Sequence, residues 1–276
     1  MGPRRGRQGK GRAWGYPTDL HPKPRGPRRP RWAGLEGRGR GPSMPSQPGP
    51  RLLSLADRVP AGRPMADIGT DHGLLPVWLL VRGRVPSAIG VDLRAAPLRA
   101  AARTAAAWGL AGDPRLSLRQ GDGLAPLEVG EVDTVVIAGM GGRRIAALLE
   151  AAPRRRSALR RLVLQPNTEA RALRAALQDL GWHLVDEDLC VEGGREFLTL
   201  VAEPGVGAPL TDAELLLGPV LLQRQAPAFR SWLVREHARL QAAAAAARAG
   251  TGRVPQPLAA ALEIVAATLG VDAPSS

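Results

Sequence analysis

The chain has 276 residues, 44% of them hydrophobic, enough apolar material for one sizeable core and an accessory element. A single cysteine, Cys190, excludes an intramolecular disulfide and any cysteine-built zinc site, and no apolar run is long enough to span a bilayer. The formal charge of +13 is concentrated: residues 1–50 hold 12 Lys/Arg against 2 Asp/Glu, leaving only +3 on the other 226 residues.

Residues 1–50 are dense in Gly, Pro and Arg, as in "PKPRGPRRPR". Such a segment buries too little apolar surface to offset its ordering entropy, so a disordered basic tail is expected. It reads either as an RNA-binding arm or as translated sequence upstream of a start at Met44. The basic N-terminus has no apolar stretch behind it and is not a secretory signal, so a cytoplasmic location is expected. Lysine occurs only at Lys10 and Lys23, a bias of GC-rich coding sequence that weakens arguments from arginine counts.

From residue 51 strand and helix patterns alternate. "RLLSLADRV" reads as a short amphipathic helix, "PMADIG" as a strand and "LLPVWLLV" as a helix. "SAIGVD" is a second strand, followed by the helix "APLRAAARTAAAWG" with Pro97 near its start and Gly109 at its end. "RLSLRQGDG" is a third strand and turn. "VDTVVIAGMGG" is a fourth, with the continuous apolar run of a strand buried on both faces. The helix "IAALLEAA", the strand "RLVLQPN" and the helix "TEARALRAALQDLG" follow, and "WHLVDEDLCVE" with "REFLTLVAEP" reads as a closing antiparallel pair. Beyond residue 205 three helices are expected: "TDAELLLGPVLLQRQ", opened by the capping-box spacing Thr211–Glu214, then Pro227 to about Gly250, then about Pro257 to Gly270. The pattern predicts an α/β domain over 51–205, an open sheet with helices on both faces, and a helical domain over 206–276.

In such sheets ligands bind at the carboxyl ends of the strands. The turns "DIGTDHG", "VDLR", "QGDG" and "AGMGG" all fall there. The first is not G-x-G-x-x-G, so a dinucleotide reading is weak. Its spacing, Asp67-x-Gly69-x-Asp71-x-Gly73, suits a strand end bent around a ligand: Gly69 admits close backbone approach and Asp67 can bind an amine, although an ordinary glycine turn has the same residues. Asp92 ends the second strand, where an acid commonly binds ribose hydroxyls. Asp122, with Gly123 in "GDG", ends the third and can meet an adenine amino group. Each acid alone is also readable as a solvated loop residue, but three acids at three successive strand ends describe a pocket for an adenosine bearing an amino-acid chain, S-adenosylmethionine. No phosphate-cradling Lys or Arg sits in the first turn. "IAGMGG" lacks the Asn/Asp-Pro-Pro-aromatic motif of many amino-directed nucleic-acid methyltransferases. Gly139 and Met140 suggest a backbone-lined slot, while close helix–strand packing also uses glycine.

"ADIGTDHGLLP", "RQGDGL", "IAGMGG", "LVLQPN" and "LLLGP", in this order, resemble the bacterial TrmK family over roughly Leu52 to Gln241. These are S-adenosylmethionine-dependent methyltransferases acting on N1 of adenine 22 in tRNA. The resemblance implies a Rossmann-like class I methyltransferase domain followed by a helical, coiled-coil-like domain. It implies that Asp67 and Gly69 hold the methionine part of the cofactor and that Asp92, Asp122, Gly123, Gly139 and Met140 complete its site. Asp71 and His72 then face the substrate as candidate catalytic residues; His72 is equally readable as a structural histidine. One departure stands out. The family usually places a tyrosine after "DHG" or "DHA"; here the residue is Leu74, and Trp78 one turn on is a candidate stacking ring or a core residue. tRNA is the implied partner, with no metal and no membrane. Candidate phosphate contacts are Arg143, Arg144, Arg154 to Arg156 and, in the helical part, Arg224, Arg230, Arg235 and Arg239, each also readable as a solvated surface residue. Two other classes remain compatible: a methyltransferase for a small molecule or protein, and a tRNA-binding module without catalysis.

Overall fold

The computed structural model of the protein describes residues 48–271. The proposed tail, apart from its last three residues, and the question of Met1 against Met44 lie outside the described residues.

Helix α1 (Pro50–Arg58) precedes strand β1 (Met65–Ile68), α2 (Leu74–Val81), β2 (Ala88–Asp92), α3 (Ala95–Ala107) and β3 (Leu116–Gln120). Then come β4 (Thr134–Gly141), α4 (Gly142–Glu150), the short α5 (Pro153–Arg156), β5 (Arg161–Thr168), α6 (Ala170–Asp179), β6 (Trp182–Glu192) and β7 (Arg195–Pro204). The strands form one sheet in the order β3-β2-β1-β4-β5-β7-β6. β1 to β5 are parallel, and β7 runs antiparallel to both β5 and β6. The chain winds outward from β1 to β3 and then returns to β1's other side as β4. That reversal makes the crevice between the ends of β1 and β4 the natural ligand site.

Side chains alternate between two cores, as the pleat requires. Ala66, Ile68, Val135, Ile137, Leu162 and Leu164 pack with Ile145 and Leu149 of α4 and Leu173 and Leu177 of α6. Met65, Ala88, Val136 and Val163 face the other way, onto Leu55 of α1, Leu75 to Leu80 of α2 and Ala105 of α3. The central strands are therefore buried on both faces, which is why "VDTVVIAG" carries no polar alternation.

Four helices follow among the described residues, not the expected three: α7 (Asp212–Leu217), α8 (Pro219–Arg224), α9 (Pro227–Thr251) and α10 (Gln256–Leu269). The predicted single helix over "TDAELLLGPVLLQRQ" breaks at Gly218, whose φ is +97°, because Pro219 cannot continue α7 and instead opens α8 at its first position. The capping box is present: Thr211 Oγ1 accepts from the Glu214 amide, and Glu214 Oε2 accepts from the Thr211 amide at 2.8 Å. Leu217, Leu221, Phe229, Leu233, Leu240, Leu262 and Val265 form a separate apolar core, which Leu189 of β6 and Leu198 of β7 join from the sheet. The fold is a Rossmann-like, mostly parallel seven-stranded sheet with a helical C-terminal region. No helix among the described residues is long and apolar enough to cross a membrane.

Candidate functional site

A cavity of about 580 Å³ opens at the β1/β4 reversal. Asp67, Gly69, Asp71 and His72 enter it from the first turn, Asp92 from the end of β2, and Gly139 and Met140 from the end of β4. A smaller cavity of about 210 Å³ shares Gly69, Asp92 and Met140 with it and is lined by Asp122 and Gly123. Residues spread over positions 67 to 140 are thus gathered at adjoining strand ends.

Asp67 is buried at the floor, and Thr70 Oγ1 donates to its Oδ2 at 2.8 Å. Burial pushes its carboxyl up from 3.8 to about 6. The Thr70 hydrogen bond opposes that shift, while the neighbouring Asp92 and Asp71 reinforce it. A buried carboxylate with two acids beside it favours a cation. Asp92 is also buried, and its Oδ1 accepts from the Arg94 amide at 3.0 Å.

The β4 end is irregular. Its register with β5 shifts around Met140, and Gly139 has φ +78°. The Met140 methyl lies over Gly69, since a Cβ added there would sit 2.5 Å from it. The two readings of "IAGMGG" divide by position. Gly139 lines the cavity, whereas Gly142 serves packing, because a Cβ there would meet the Glu169 carbonyl oxygen at 2.3 Å.

Asp71 and His72 are exposed at the cavity mouth, with His72 Nε2 3.6 Å from Asp71 Oδ2. Asp71 has φ +50° and is one of three non-glycine residues in that region among the described residues, with Glu169 and Gln225. A strained carboxylate at the rim of a cavity points to a functional constraint. Leu74 lines the same mouth at 48% exposure.

The structure places the remaining candidates as follows. Trp78 is 4% exposed, packed edge-on against Trp108 at 5.9 Å and covered by the Arg82 guanidinium at 4.3 Å, so it is a core residue and stacks on no substrate. Asp122 is outward, paired with Arg144 at 2.6 Å, and belongs to the smaller cavity alone of the two. Arg155 and Arg156 donate to the Leu127 and Leu149 carbonyls and are held by the fold. Arg143 pairs with Glu169, Arg224 with Asp186, Arg235 with Glu196 and Arg239 with Glu236.

Other site residues escaped the sequence reading. Pro48 and Gly49, which it places in the tail, line the main cavity, as do Arg51, Asn167 and Glu192. The Arg51 amide donates to Glu192 Oε2 at 2.8 Å, and its Nε donates to Gln165 Oε1. Gln165 is fully buried and donates in turn to Thr199 Oγ1 at 3.1 Å. Asn167 Nδ2 donates to the Gly139 carbonyl at 2.9 Å and fixes the slot. "LQPN" was the available signal for Gln165 and Asn167; Arg51 had none, because its partners lie 114 and 141 positions away.

Residues 49–200 match the methyltransferase-domain family. The tRNA (adenine(22)-N(1))-methyltransferase of Bacillus subtilis is 37% identical over 188 residues, covering 66% of this chain and 78% of that protein. Among solved structures, the B. subtilis M1A22 tRNA methyltransferase TrmK superposes with a TM-score of 0.69 at 31% identity, over 81% of this chain and 96% of that one. Streptococcus pneumoniae Sp1610, in complex with S-adenosyl-L-methionine, gives a TM-score of 0.73 at 32% identity, over 80% and 99%. The match to the methyltransferase-domain family, together with this sequence and structural similarity, places the chain in the TrmK family of methyltransferases.

Proposed function

We propose that the protein transfers a methyl group from S-adenosylmethionine to N1 of an adenine in tRNA, at position 22 as in its relatives, and works in the cytoplasm. The observation that carries this reading is the grouping of Asp67, Asp92, Gly139 and Asn167 in one cavity at the strand-order reversal. Its volume falls within the roughly 300–1,000 Å³ usual for small-molecule sites. The cofactor fits the donor set: buried Asp67 holds its ammonium, and Asp92 holds the ribose hydroxyls. When bound it supplies a methyl on a sulfonium, which the N1 lone pair displaces to leave a thioether.

The chain's own residues then position the base. N1 already carries its lone pair, so alignment supplies most of the rate and no strong base is needed. Asp71 accepts a hydrogen bond from the exocyclic N6 amine, whose acidity rises as N1 is alkylated. His72 stands beside it, and Leu74 offers an apolar surface at the cavity mouth. The Asn167–Gly139 bond keeps the slot open to the base. A stacked adenine has to be extruded to reach this depth.

Methyl transfer from labelled cofactor to bulk tRNA tests the reading. Incorporation into tRNA supports it. Cofactor binding with no transfer to tRNA, while a protein or small molecule is labelled, refutes it. Cofactor binding with tRNA binding but no transfer would instead make the chain a binding module.

A pH dependence follows from Asp67. Its carboxyl is protonated below about pH 6 in the free protein and ionised above. Cofactor affinity should therefore be full at neutral pH and fall by up to about tenfold per unit below pH 6, since a protonated acid cannot pair with an ammonium. Stability of the free protein runs the other way. The raised carboxyl contributes stability that is fully present below 3.8 and lost as pH rises through about 6. Calorimetric titrations between pH 5 and 8 check the affinity. A flat profile would remove Asp67 from the ammonium site.

A further inference from the structure

A third cavity, of about 180 Å³, adjoins the catalytic one and is lined from both the sheet and the helical region. Asn167 lines both. Trp232 of α9, Glu169, Glu196 and Leu198 also line the third cavity. Phe229 is fully buried and stacks under the Trp232 ring, with centroids 5.8 Å apart and planes 19° apart, so the indole is held in place before any ligand arrives. Leu198 comes from the sheet and Trp232 from the helices, so two parts of the fold build the site jointly.

Two carboxylates of its lining, Glu169 and Glu196, are each paired with an arginine. Arg143 Nε meets Glu169 Oε1 at 2.9 Å, and Arg235 meets Glu196 Oε1. Both arginines are more than half exposed, so each can turn a donor outward while its carboxylate fixes its place. Each carboxylate keeps a second oxygen for an exocyclic amine. Glu169 is held at φ +59°, one of the strained positions noted above.

We infer that this cavity is a second base subsite: it takes an unstacked, amino-bearing nucleobase of the tRNA, adjacent in the RNA to the adenine that is methylated. The inference rests on the tRNA reading of the catalytic cavity. The Trp232 ring stacks on the base, Glu169 or Glu196 accepts from its amine, and Arg143 and Arg235 reach the flanking phosphates. A ring with a neutral π-face and nearby cations is the arrangement by which single-stranded nucleic acid is held. This subsite supplies the aromatic contact that Trp78, being buried, cannot give. It also explains how a chain with Leu74 at the cavity mouth still holds an extruded loop: the neighbouring base is anchored in place of the target ring.

Three variants test it. Trp232→Leu keeps an apolar side chain in the helical core and removes the ring. Trp232→Phe keeps a ring. Ala170→Leu, at the first position of α6 on the cavity wall, fills the space from the α6 side and leaves Trp232 itself unchanged. tRNA affinity at fixed salt, cofactor affinity and thermal midpoint are measured for each. Trp232→Leu and Ala170→Leu should weaken tRNA binding roughly 5- to 150-fold, the range for loss of one stacked base. Trp232→Phe should stay within a few-fold of the parent, and cofactor affinity should not move. Parental tRNA affinity in folded Ala170→Leu, or Trp232→Phe as weak as Trp232→Leu, overturns the inference. If Trp232→Leu lowers the midpoint, Ala170→Leu decides alone. Failure of the underlying reading looks different, because the unmutated protein then leaves tRNA unmethylated.

Discussion

Replacing Glu187 with alanine is expected to destabilise the folded protein by about 3–5 kcal/mol, the cost of stranding one member of a buried ion pair. Glu187 and Arg174 are both about 1% exposed, with Glu187 Oε1 2.8 Å from Arg174 Nε. The pair spans the break between α7 and α8. Arg174 Nη1 donates to the Leu215 and Leu216 carbonyls at 3.0 and 3.1 Å, capping the end of α7. Glu187 Oε2 accepts from the Val220 amide at 2.9 Å and the Leu221 amide at 3.4 Å, at the start of α8. Cation at a helix end and anion at a helix start is the favourable sense of both helix dipoles. Gly218 is required between them, since a Cβ there would lie 2.4 Å from Glu187 Oε2 and 2.7 Å from Arg174 Nη2. Alanine at 187 leaves a buried guanidinium without its anion and two amides without an acceptor. Urea unfolding measures the loss; a change under 1 kcal/mol would show that the pair is not what ties the helices to the sheet. Replacing both partners with apolar residues should recover much of the deficit, because desolvation then costs nothing.

Asp92→Ala is expected to weaken S-adenosylmethionine binding by about 1.5–3 kcal/mol, roughly 10- to 150-fold, the range for hydrogen bonds to a charged acceptor. Asp92 is the last residue of β2, and its Oδ1 is already committed to the Arg94 amide, which fixes the carboxylate's direction. It lines both adjoining cavities, so its removal affects the join between them. The fold should tolerate the change better than the site does, because the lost internal bond is to one loop amide. Isothermal titration with the thermal midpoint as control separates the two effects. Parental cofactor affinity in a folded variant would remove Asp92 from the ribose contact.

Much of the sheet was readable in the sequence because its code is local. Each of β1, β2 and β4 ends in its expected turn, and Gly109 and Gly181 follow their helices with φ +75° and +77°. What was not readable depended on distant partners. Arg51 reads only as the first residue of a short amphipathic helix, but Gln165, 114 positions away, draws it into the cavity. The Arg174–Glu187 pair is invisible locally, because nothing in either helix or strand pattern marks a charge for burial. The core reading of Trp78 had a signal, because it sits in "LLPVWLLV", apolar all round, and such a helix is buried on every side. "LGP" inside "LLLGPVLL" is a chain breaker, which the continuous apolar spacing outweighed. The paired arginines of the helical part change how tRNA contacts have to be tested: reversing Arg235 or Arg239 also breaks an ion pair with Glu196 or Glu236.

The most direct test of the account is to locate the methyl group. Unmodified tRNA carrying adenine at position 22 is incubated with the protein and S-adenosylmethionine and then read by reverse transcription, which N1-methylation blocks by occupying the pairing edge of the base. The account predicts a stop at adenine 22 that requires the cofactor and is lost or strongly reduced with Asp92→Ala at limiting cofactor. Read-through at adenine 22, or a cofactor-dependent stop at another nucleotide, would contradict it.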